Sequence, residues 1–240
     1  MAEALLEVTA TDFLRPNIDH LITEDDEPVD NIFSEKQQRL LTDPLFSSWP
    51  GSSEGKRAYV AFANVGLFYT VHQQAVVPDA MLSMDVEQPQ EVWEKHHRSY
   101  FIWEYGKPPD VVIEVVSNRK GGEDTTKLRL YAQIGVPFYV IYDPEQQLSE
   151  RILRVYGRNG GGYREMIDSY FPEIGLGVCL WEGVYQQMHA VWLRWCKRDL
   201  TPIPTGAEAA RQAEEAARQA EERAERLAAQ LRALGVEPQE

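Results

Sequence analysis

The chain has 240 residues, of which 43% are hydrophobic and 10% aromatic, so it can form one packed domain with an appendage and is too apolar for wholesale disorder. The net charge of −14 argues against a simple nucleic-acid coat protein, because a surface that binds phosphate is normally basic. No apolar run approaches the ~20 residues of a membrane-spanning helix, and the first residues do not resemble a secretory signal, so we expect no membrane association.

The acidic residues are concentrated at the start of the chain. Residues 1–50 hold 11 acidic and 3 basic residues, and the run TEDDEPVD lies at 23–30. We therefore interpret residues 1–30 as an acidic leader that precedes a domain at 31–200. The central part of the chain is close to neutral, which leaves room there for a local basic groove.

The first part of the domain predicts a helix followed by strands. The segment SEKQQRLLTDPLFSSW predicts a helix with Ser34 as its N-cap. Two apolar runs follow, YVAFA at 59–63 and GLFYTV at 66–71, and their close spacing predicts a hairpin. The segment PDAMLSMDV predicts the next strand, with Pro78 at its start, where proline is tolerated.

The middle of the domain predicts a strand–helix–strand unit. DVVIEVV at 110–116 and VPFYVIYDP at 136–144 are nearly continuous apolar runs. Between them, DTTKLRLYAQIG predicts a helix that Asp124 caps and Gly135 ends. This order predicts two neighbouring parallel strands. The runs RILRVYG and YREMI then predict a hairpin that turns at 159–162.

Residues 207–235 predict a C-terminal coiled-coil helix. The unit EAARQAE stands at 208–214 and again at 215–221. Apolar residues follow at alternating steps of three and four, which is the spacing of a coiled-coil seam. The seam consists of Ala210, Ala213, Ala217, Ala220, Ala224, Leu227, Leu231 and Leu234. We expect this helix to project from the domain and to pair with a second copy or with another protein; pairing with a second copy predicts a homo-oligomer in the form of a dimer.

Glu114 lies at the centre of the strand at 110–116, where a carboxylate is costly unless it is paired or binds a cation. One interpretation is an ordinary ion pair with a lysine or arginine from a helix. Two other residues favour a functional site: Asp79 opens the preceding strand, and Lys127 lies in the first turn of the following helix. Two carboxylates on adjacent strands suit Mg²⁺ or Mn²⁺, and an ammonium can stabilise developing phosphate charge.

This arrangement resembles a known superfamily. A Pro-Asp pair, a long gap and a strand with a central Glu are similar to the PD-(D/E)XK nucleases. More closely, the segments VVPDAML, PPDVVIEVVSNRKGGEDTTKLRLYAQIGVPFYVIYDP and SEKQQRLLTDPLFSSW resemble the Uma-type family of restriction-endonuclease-like proteins. The resemblance covers roughly residues 30–200. It implies an α/β fold, in which a restriction-endonuclease-like core has a central mixed β-sheet flanked by helices.

The resemblance also implies a function and its residues. It implies an endonuclease that hydrolyses DNA phosphodiester bonds with Mg²⁺ or Mn²⁺. Asp79 and Glu114 would be the metal carboxylates, and Lys127 would be the catalytic lysine. The lysine of the superfamily normally stands two residues after the Glu, where this chain has Val116, and Lys120 is the second candidate for its role. Glu35 matches a position where such nucleases often add another acid, although a solvated helix face explains it equally well.

A second interpretation is a non-catalytic nuclease-like binding or adaptor protein that assembles through its C-terminal helix. Val116 in the usual lysine position, the net charge of −14 and the coiled-coil pattern favour it. The compartment is expected to be the cytoplasm in either case. Cys179 and Cys196 have neither a CxxC spacing nor histidine neighbours, which indicates free thiols in a reducing compartment.

Overall fold

A computed structural model describes residues 17, 20, 31–52 and 55–233, so most of the predicted leader lies outside the described residues. Within them, the helices are α1 (Ile32–Ser48), α2 (Ile102–Tyr105), α3 (Leu128–Ile134) and α4 (Gly206–Ala233). The strands are β1 (Tyr59–Ala63), β2 (Leu67–Phe68), β3 (Ala80–Met84), β4 (Tyr100–Phe101), β5 (Val111–Val115), β6 (Phe138–Tyr142), β7 (Leu153–Asn159), β8 (Gly162–Glu165), β9 (Tyr170–Phe171), β10 (Leu176–Tyr185) and β11 (Met188–Cys196).

The centre of the fold is a mixed sheet of six strands in the order β1-β3-β5-β6-β7-β8. Strands β5 and β6 are parallel and are connected through α3, which confirms the predicted strand–helix–strand unit. The other neighbours in this sheet are antiparallel. Strands β7 and β8 form the predicted hairpin, with Asn159 opposite Gly162. The predicted α/β fold with a central mixed sheet flanked by helices is therefore confirmed.

Each face of the central sheet is covered by a separate hydrophobic core. Residues of β5 alternate between the two cores because successive strand side chains point to opposite faces. Ile113 packs in one core with Leu45 of α1 and Trp195 of β11. Val112 packs in the other core with Tyr131 of α3. Glu114 belongs to the α3 face, since its side chain bonds to Tyr131.

The predicted hairpin of the first two apolar runs is wrong. Strand β1 pairs with β3 and places Val60 opposite Ser83, whereas β2 lies in a separate pair and runs parallel to β4. Strand β3 is buried along its whole length and has neighbours on both edges, β1 and β5. Closeness in sequence therefore did not identify the partner of β1, because β3 offers a ladder of five residues, whereas β2 is only two residues long.

The predicted start of α1 is also wrong. The helix begins at Ile32, and the Asn31 side chain accepts a hydrogen bond from the Ser34 backbone N–H at 3.0 Å. Asn31 is therefore the N-cap, and Ser34 is a buried residue inside the first turn. The consequence is a helix that starts earlier and places a run of glutamines, Gln37 and Gln38, against the domain.

The predicted cap of the central helix is wrong as well, although its end is confirmed. The segment Glu123–Lys127 forms a π-helical turn after Gly122, which has a φ of 70°, and α3 begins only at Leu128. Asp124 thus lies inside the turn and does not cap a helix. The helix ends at Gly135, whose φ of 94° is easily reached by glycine. Single π turns occur frequently at functional sites.

A long hairpin that the sequence did not predict links the domain to the C-terminal helix. Strands β10 and β11 pair over their full length, from Gly177 opposite Cys196 to Tyr185 opposite Met188. The side chain of Gln37 on α1 bonds to both the backbone N–H and C=O of Leu193, at 3.0 and 2.8 Å. The hairpin therefore holds α1 against the sheet.

Helix α4 confirms the predicted C-terminal helix within the described residues. Thr205 and Glu208 cap its start reciprocally: the Thr205 Oγ1 accepts from the Glu208 N–H, and the Glu208 carboxylate accepts from the Thr205 N–H. From Ala210 on, its described residues are exposed apart from the half-buried Ala228. Leu234 of the predicted seam lies outside the described residues. No helix among the described residues is long and apolar enough to cross a membrane.

Candidate active site

Asp79 lies directly before β3 and next to β5. The pairing of Ala80 with Ile113 places Asp79 opposite Glu114 in the antiparallel ladder. Its Oδ2 accepts a hydrogen bond from the Val115 backbone N–H at 2.7 Å, and its Oδ1 accepts one from Gln38 Nε2 at 2.9 Å. Both oxygens of the Asp79 carboxylate are thus oriented by neighbouring elements.

Glu114 is 1% exposed and is held from the helix side. Its Oε2 accepts a hydrogen bond from Lys127 Nζ at 2.8 Å, and its Oε1 accepts one from the Tyr131 hydroxyl at 2.6 Å. Lys127 and Tyr131 are four residues apart, so both side chains reach the same face of the sheet. The lysine side chain is 26% exposed, whereas that of Glu114 is buried.

The three charges perturb one another strongly. Burial raises the pKa of Glu114 to about 8; the Lys127 ammonium lowers it, and the Asp79 carboxylate raises it. Burial lowers the pKa of Lys127, but the carboxylates of Glu114, Glu123 and Asp79 together raise it by more, so this pKa stays above its ordinary value. Lys127 is therefore a fixed positive charge, and Glu114 readily takes up a proton when no second cation is bound.

The sequence analysis missed three polar residues around this cluster. Gln38 and Tyr131 orient the two carboxylates, as described above. Glu123 is 6% exposed, and its Oε1 lies 3.8 Å from Lys127 Nζ. The sequence carried one signal for Glu123, an acid four residues before the candidate lysine. It carried none for Gln38, because that contact depends on how α1 packs against the sheet.

The structure brings together Asp79, Glu114 and Lys127, but it places the other candidates differently. Glu35 is ion-paired with Arg39 on the surface of α1, and its side chain is 45% exposed. Lys120 is exposed in the loop after β5, where its backbone N–H bonds to the Asn118 side chain. Val116 is 1% exposed in the core under α3, so an apolar residue suits that position.

The donor chemistry of the cluster fits a small divalent cation. Within residues 31–52 and 55–233, no group of three or more His, Cys, Asp or Glu residues is arranged to hold a metal ion. Mg²⁺, however, is commonly bound by one or two carboxylates, with waters and substrate phosphates completing its shell. The carboxylates of Asp79 and Glu114 stand opposite each other in the antiparallel ladder of β3 and β5, and each carboxylate oxygen can accept from more than one donor or cation. These two residues would hold Mg²⁺ or Mn²⁺.

A mixed sheet with a carboxylate pair and a lysine on adjacent elements defines a protein of the restriction-endonuclease-like PD-(D/E)XK class. The chain belongs to the Uma2 family, whose model is described as "Putative restriction endonuclease" and matches residues 25–173. That range contains every residue of the cluster described above. No curated protein matches the sequence, so the details of the function must be argued from the site.

Proposed function

We propose that the protein is a metal-dependent endonuclease that hydrolyses DNA phosphodiester bonds. The observation that supports it is the convergence of Asp79, Glu114 and Lys127 at one point of the central sheet. These residues come from three different elements, and the fold keeps an acid buried at the centre of a strand although burial raises its pKa. Perturbed ionisable residues of this kind are typical of functional sites.

The residues of the cluster have distinct roles in this proposal. A bound Mg²⁺ or Mn²⁺ supplies Lewis-acid polarisation of the phosphate and a more acidic water. Asp79 and Glu114 hold the cation, while Gln38 and Tyr131 keep the two carboxylates in orientation. The Lys127 ammonium, which donates a hydrogen bond to Glu114, stabilises negative charge that develops on the phosphate oxygens.

The substrate and the compartment are also proposals. DNA is the proposed substrate, and the cytoplasm is the proposed compartment. The two cysteines support a reducing compartment, because Cys179 and Cys196 lie on paired strands and are free thiols. The acidic leader 1–30, the nuclease domain 31–200 and the helix 207–235 are the proposed parts of the chain.

Nicking of supercoiled plasmid in Mg²⁺ or Mn²⁺ tests the proposal. The wild-type protein is expected to convert supercoiled to open circular DNA, and chelation with EDTA is expected to stop it. Asp79→Asn and Glu114→Gln are expected to abolish nicking. Glu165→Gln is the matched control, because this acid pairs with Arg151 on the edge hairpin, away from the cluster. Equal nicking by all variants would contradict the proposed site.

A second candidate is a nuclease-like binding or adaptor protein that assembles as a homo-oligomer through α4. The exposed seam of this helix favours it, because Leu227 and Leu231 remain 54% and 38% exposed in a single chain. The plasmid assay separates the candidates when DNA binding is measured in parallel. A protein that binds DNA but does not nick it with either metal fits the adaptor and not the nuclease.

A further inference from the structure

Glu123 is a buried acid to which the proposed mechanism assigns no role. Its Oε1 lies 3.8 Å from Lys127 Nζ, and its Oε2 is buried without a hydrogen-bond partner. An unpaired buried polar atom destabilises a fold, and buried polar groups in proteins are almost always paired. Glu123 therefore weakens the fold where it stands, which points to a role in the site.

The backbone around Glu123 is shaped to keep its carboxylate in place. A Cβ added to Gly121 would lie 1.8 Å from Glu123 Oε1, so any larger residue would displace the carboxylate. The Glu123 backbone carbonyl accepts a hydrogen bond from the Tyr139 hydroxyl at 2.9 Å, which fastens the π-helical turn to β6. The absence of a side chain at Gly121 thus leaves room for the carboxylate, and the bond from Tyr139 holds the turn that carries it.

Glu123 and Glu114 both approach the same ammonium. Lys127 Nζ is 2.8 Å from Glu114 Oε2 and 3.8 Å from Glu123 Oε1. The acids of the described part of the chain do not form a group of three that could share one ion. Glu123 is therefore not placed as a third ligand beside Asp79 and Glu114, and its carboxylate forms an ion pair with the lysine.

We propose that Glu123 is a positioning residue that acts through Lys127. Together with Glu114 it clamps the ammonium between two carboxylates and so sets the direction in which the lysine faces a substrate phosphate. A lysine is a compact charge on a flexible stem, so a single carboxylate leaves its ammonium free to swing. The role toward a phosphate rests on the proposed nuclease function, whereas the clamp itself does not.

Two variants disturb the clamp in different ways. Glu123→Gln removes the charge and keeps the shape. Gly121→Ala keeps the charge but pushes the carboxylate away, and Gly121 does not have a positive φ that would strain an alanine. Gly161→Ala is the matched control, because an added Cβ there meets no atom within 4 Å and its φ is not positive either.

Nicking kinetics and thermal unfolding separate positioning from a structural role. Glu123→Gln and Gly121→Ala are expected to lower turnover about 10–100-fold, as is typical for residues that orient a catalytic group, with an unchanged KM for DNA. The Tm of Glu123→Gln is expected to be no lower than that of the wild type, because a neutral amide costs less to bury than a carboxylate whose Oε2 has no hydrogen-bond partner. A lowered Tm with unchanged turnover would mean a structural role and would overturn the proposal.

A spectroscopic measurement tests the clamp without relying on catalysis. The chain has seven lysines, so its ¹⁵Nζ–¹Hζ cross-peaks are few, and Lys127→Met identifies the one of interest. A held ammonium is expected to give a visible Lys127 cross-peak that shifts or broadens in Glu123→Gln and Gly121→Ala but not in Gly161→Ala. A cross-peak that is absent from the wild type, or unchanged in Glu123→Gln, overturns the clamp. A perturbed cross-peak in a protein that never nicks DNA supports the clamp and contradicts only the nuclease function.

Discussion

Glu114 combines a cost to folding with a role in the proposed chemistry. Its carboxyl group is buried, and burial raises its pKa to about 8. Lys127 and Tyr131 each donate a hydrogen bond to it, yet these contacts do not restore the ordinary pKa. If this position served only stability, an apolar residue would be expected here. Val112 and Val116 are such residues on the same face of the strand.

The raised pKa of Glu114 predicts that metal binding depends on pH. The carboxyl group must lose its proton to bind a cation, so the affinity for Mn²⁺ is expected to rise by up to ~10-fold per pH unit until about pH 8 and then to level off. Isothermal titration calorimetry at several pH values measures this rise. An affinity that is constant across the same range would contradict the prediction.

The raised pKa of Glu114 has the opposite effect on the metal-free protein, whose stability falls as the pH rises. A carboxyl group whose pKa is higher in the folded state binds its proton more tightly there than in the unfolded chain. Stability from Glu114 is therefore present at low pH and is lost as the pH rises from its ordinary pKa of 4.5 toward about 8. The free energy of unfolding in urea with EDTA is expected to fall over this range less in Glu114→Gln than in the wild type.

Lys127 gives a third prediction at the residue scale. Lys127→Ala is expected to abolish nicking and to spare Mn²⁺ binding, because the ammonium contacts a proposed metal carboxylate without being a ligand itself. Lys127→Arg is expected to restore activity only partly, since a planar guanidinium differs from an ammonium in shape and hydration. Full activity in Lys127→Ala would mean that Lys120 is the catalytic lysine or that the reaction uses no lysine.

At the scale of elements, the strand–helix–strand unit was predictable because its signals are local. Continuous apolar runs marked β5 and β6, and Gly135 marked the end of α3. The partners of β1 and β2 were not predictable, because pairing depends on contacts between segments that are distant in sequence, as between β2 and β4. The candidate residues Asp79, Glu114 and Lys127 came from sequence pattern and family resemblance. The role of Gln38 was visible only in the structure, because its contact with Asp79 depends on how α1 packs against the sheet.

The junction between β11 and α4 gives a prediction for one element contact. Arg194 is 3% exposed and donates hydrogen bonds to both oxygens of Glu208, at 3.0 and 2.6 Å. Glu208→Gln leaves this buried guanidinium without its charged partner, and we expect a loss of about 1–3 kcal/mol in the free energy of unfolding. Glu215→Gln, on the exposed part of α4, is the control and is expected to change little.

The pH dependence of this contact follows from Glu208. Burial raises its pKa, but the hydrogen bond from Arg194 and the Thr205 N–H lower it below the ordinary value of 4.5. A lowered pKa means that the stabilisation is present above pH 4.5 and is lost as the pH falls through the folded pKa. The difference in urea stability between the wild type and Glu208→Gln should therefore shrink in acid, and a constant difference would contradict the assignment.

At the scale of the whole molecule, the tail and the domain are expected to behave as separate units. Deleting residues 206–240 removes the contact between Arg194 and Glu208 and is expected to lower the stability of the domain, but to leave it folded and any nicking intact, because most of α4 makes no buried contact with it. The oligomer mass in light scattering is expected to fall, since the exposed seam on α4 is the proposed pairing surface. An unchanged mass would mean that the tail does not pair, and that any dimer is made by the domain.

The attachment of α4 to the domain is concentrated at its start. Thr205, Arg194 and Glu208 make the polar contacts there, and Gly206 lies against Ser47 of α1. Beyond this junction the sequence is free to change without altering the residues around Glu114. A different helix grafted after Glu208 should therefore give the protein a new partner while the domain keeps its chemistry. This junction is thus a position where the C-terminal helix can be replaced, in evolution or by engineering.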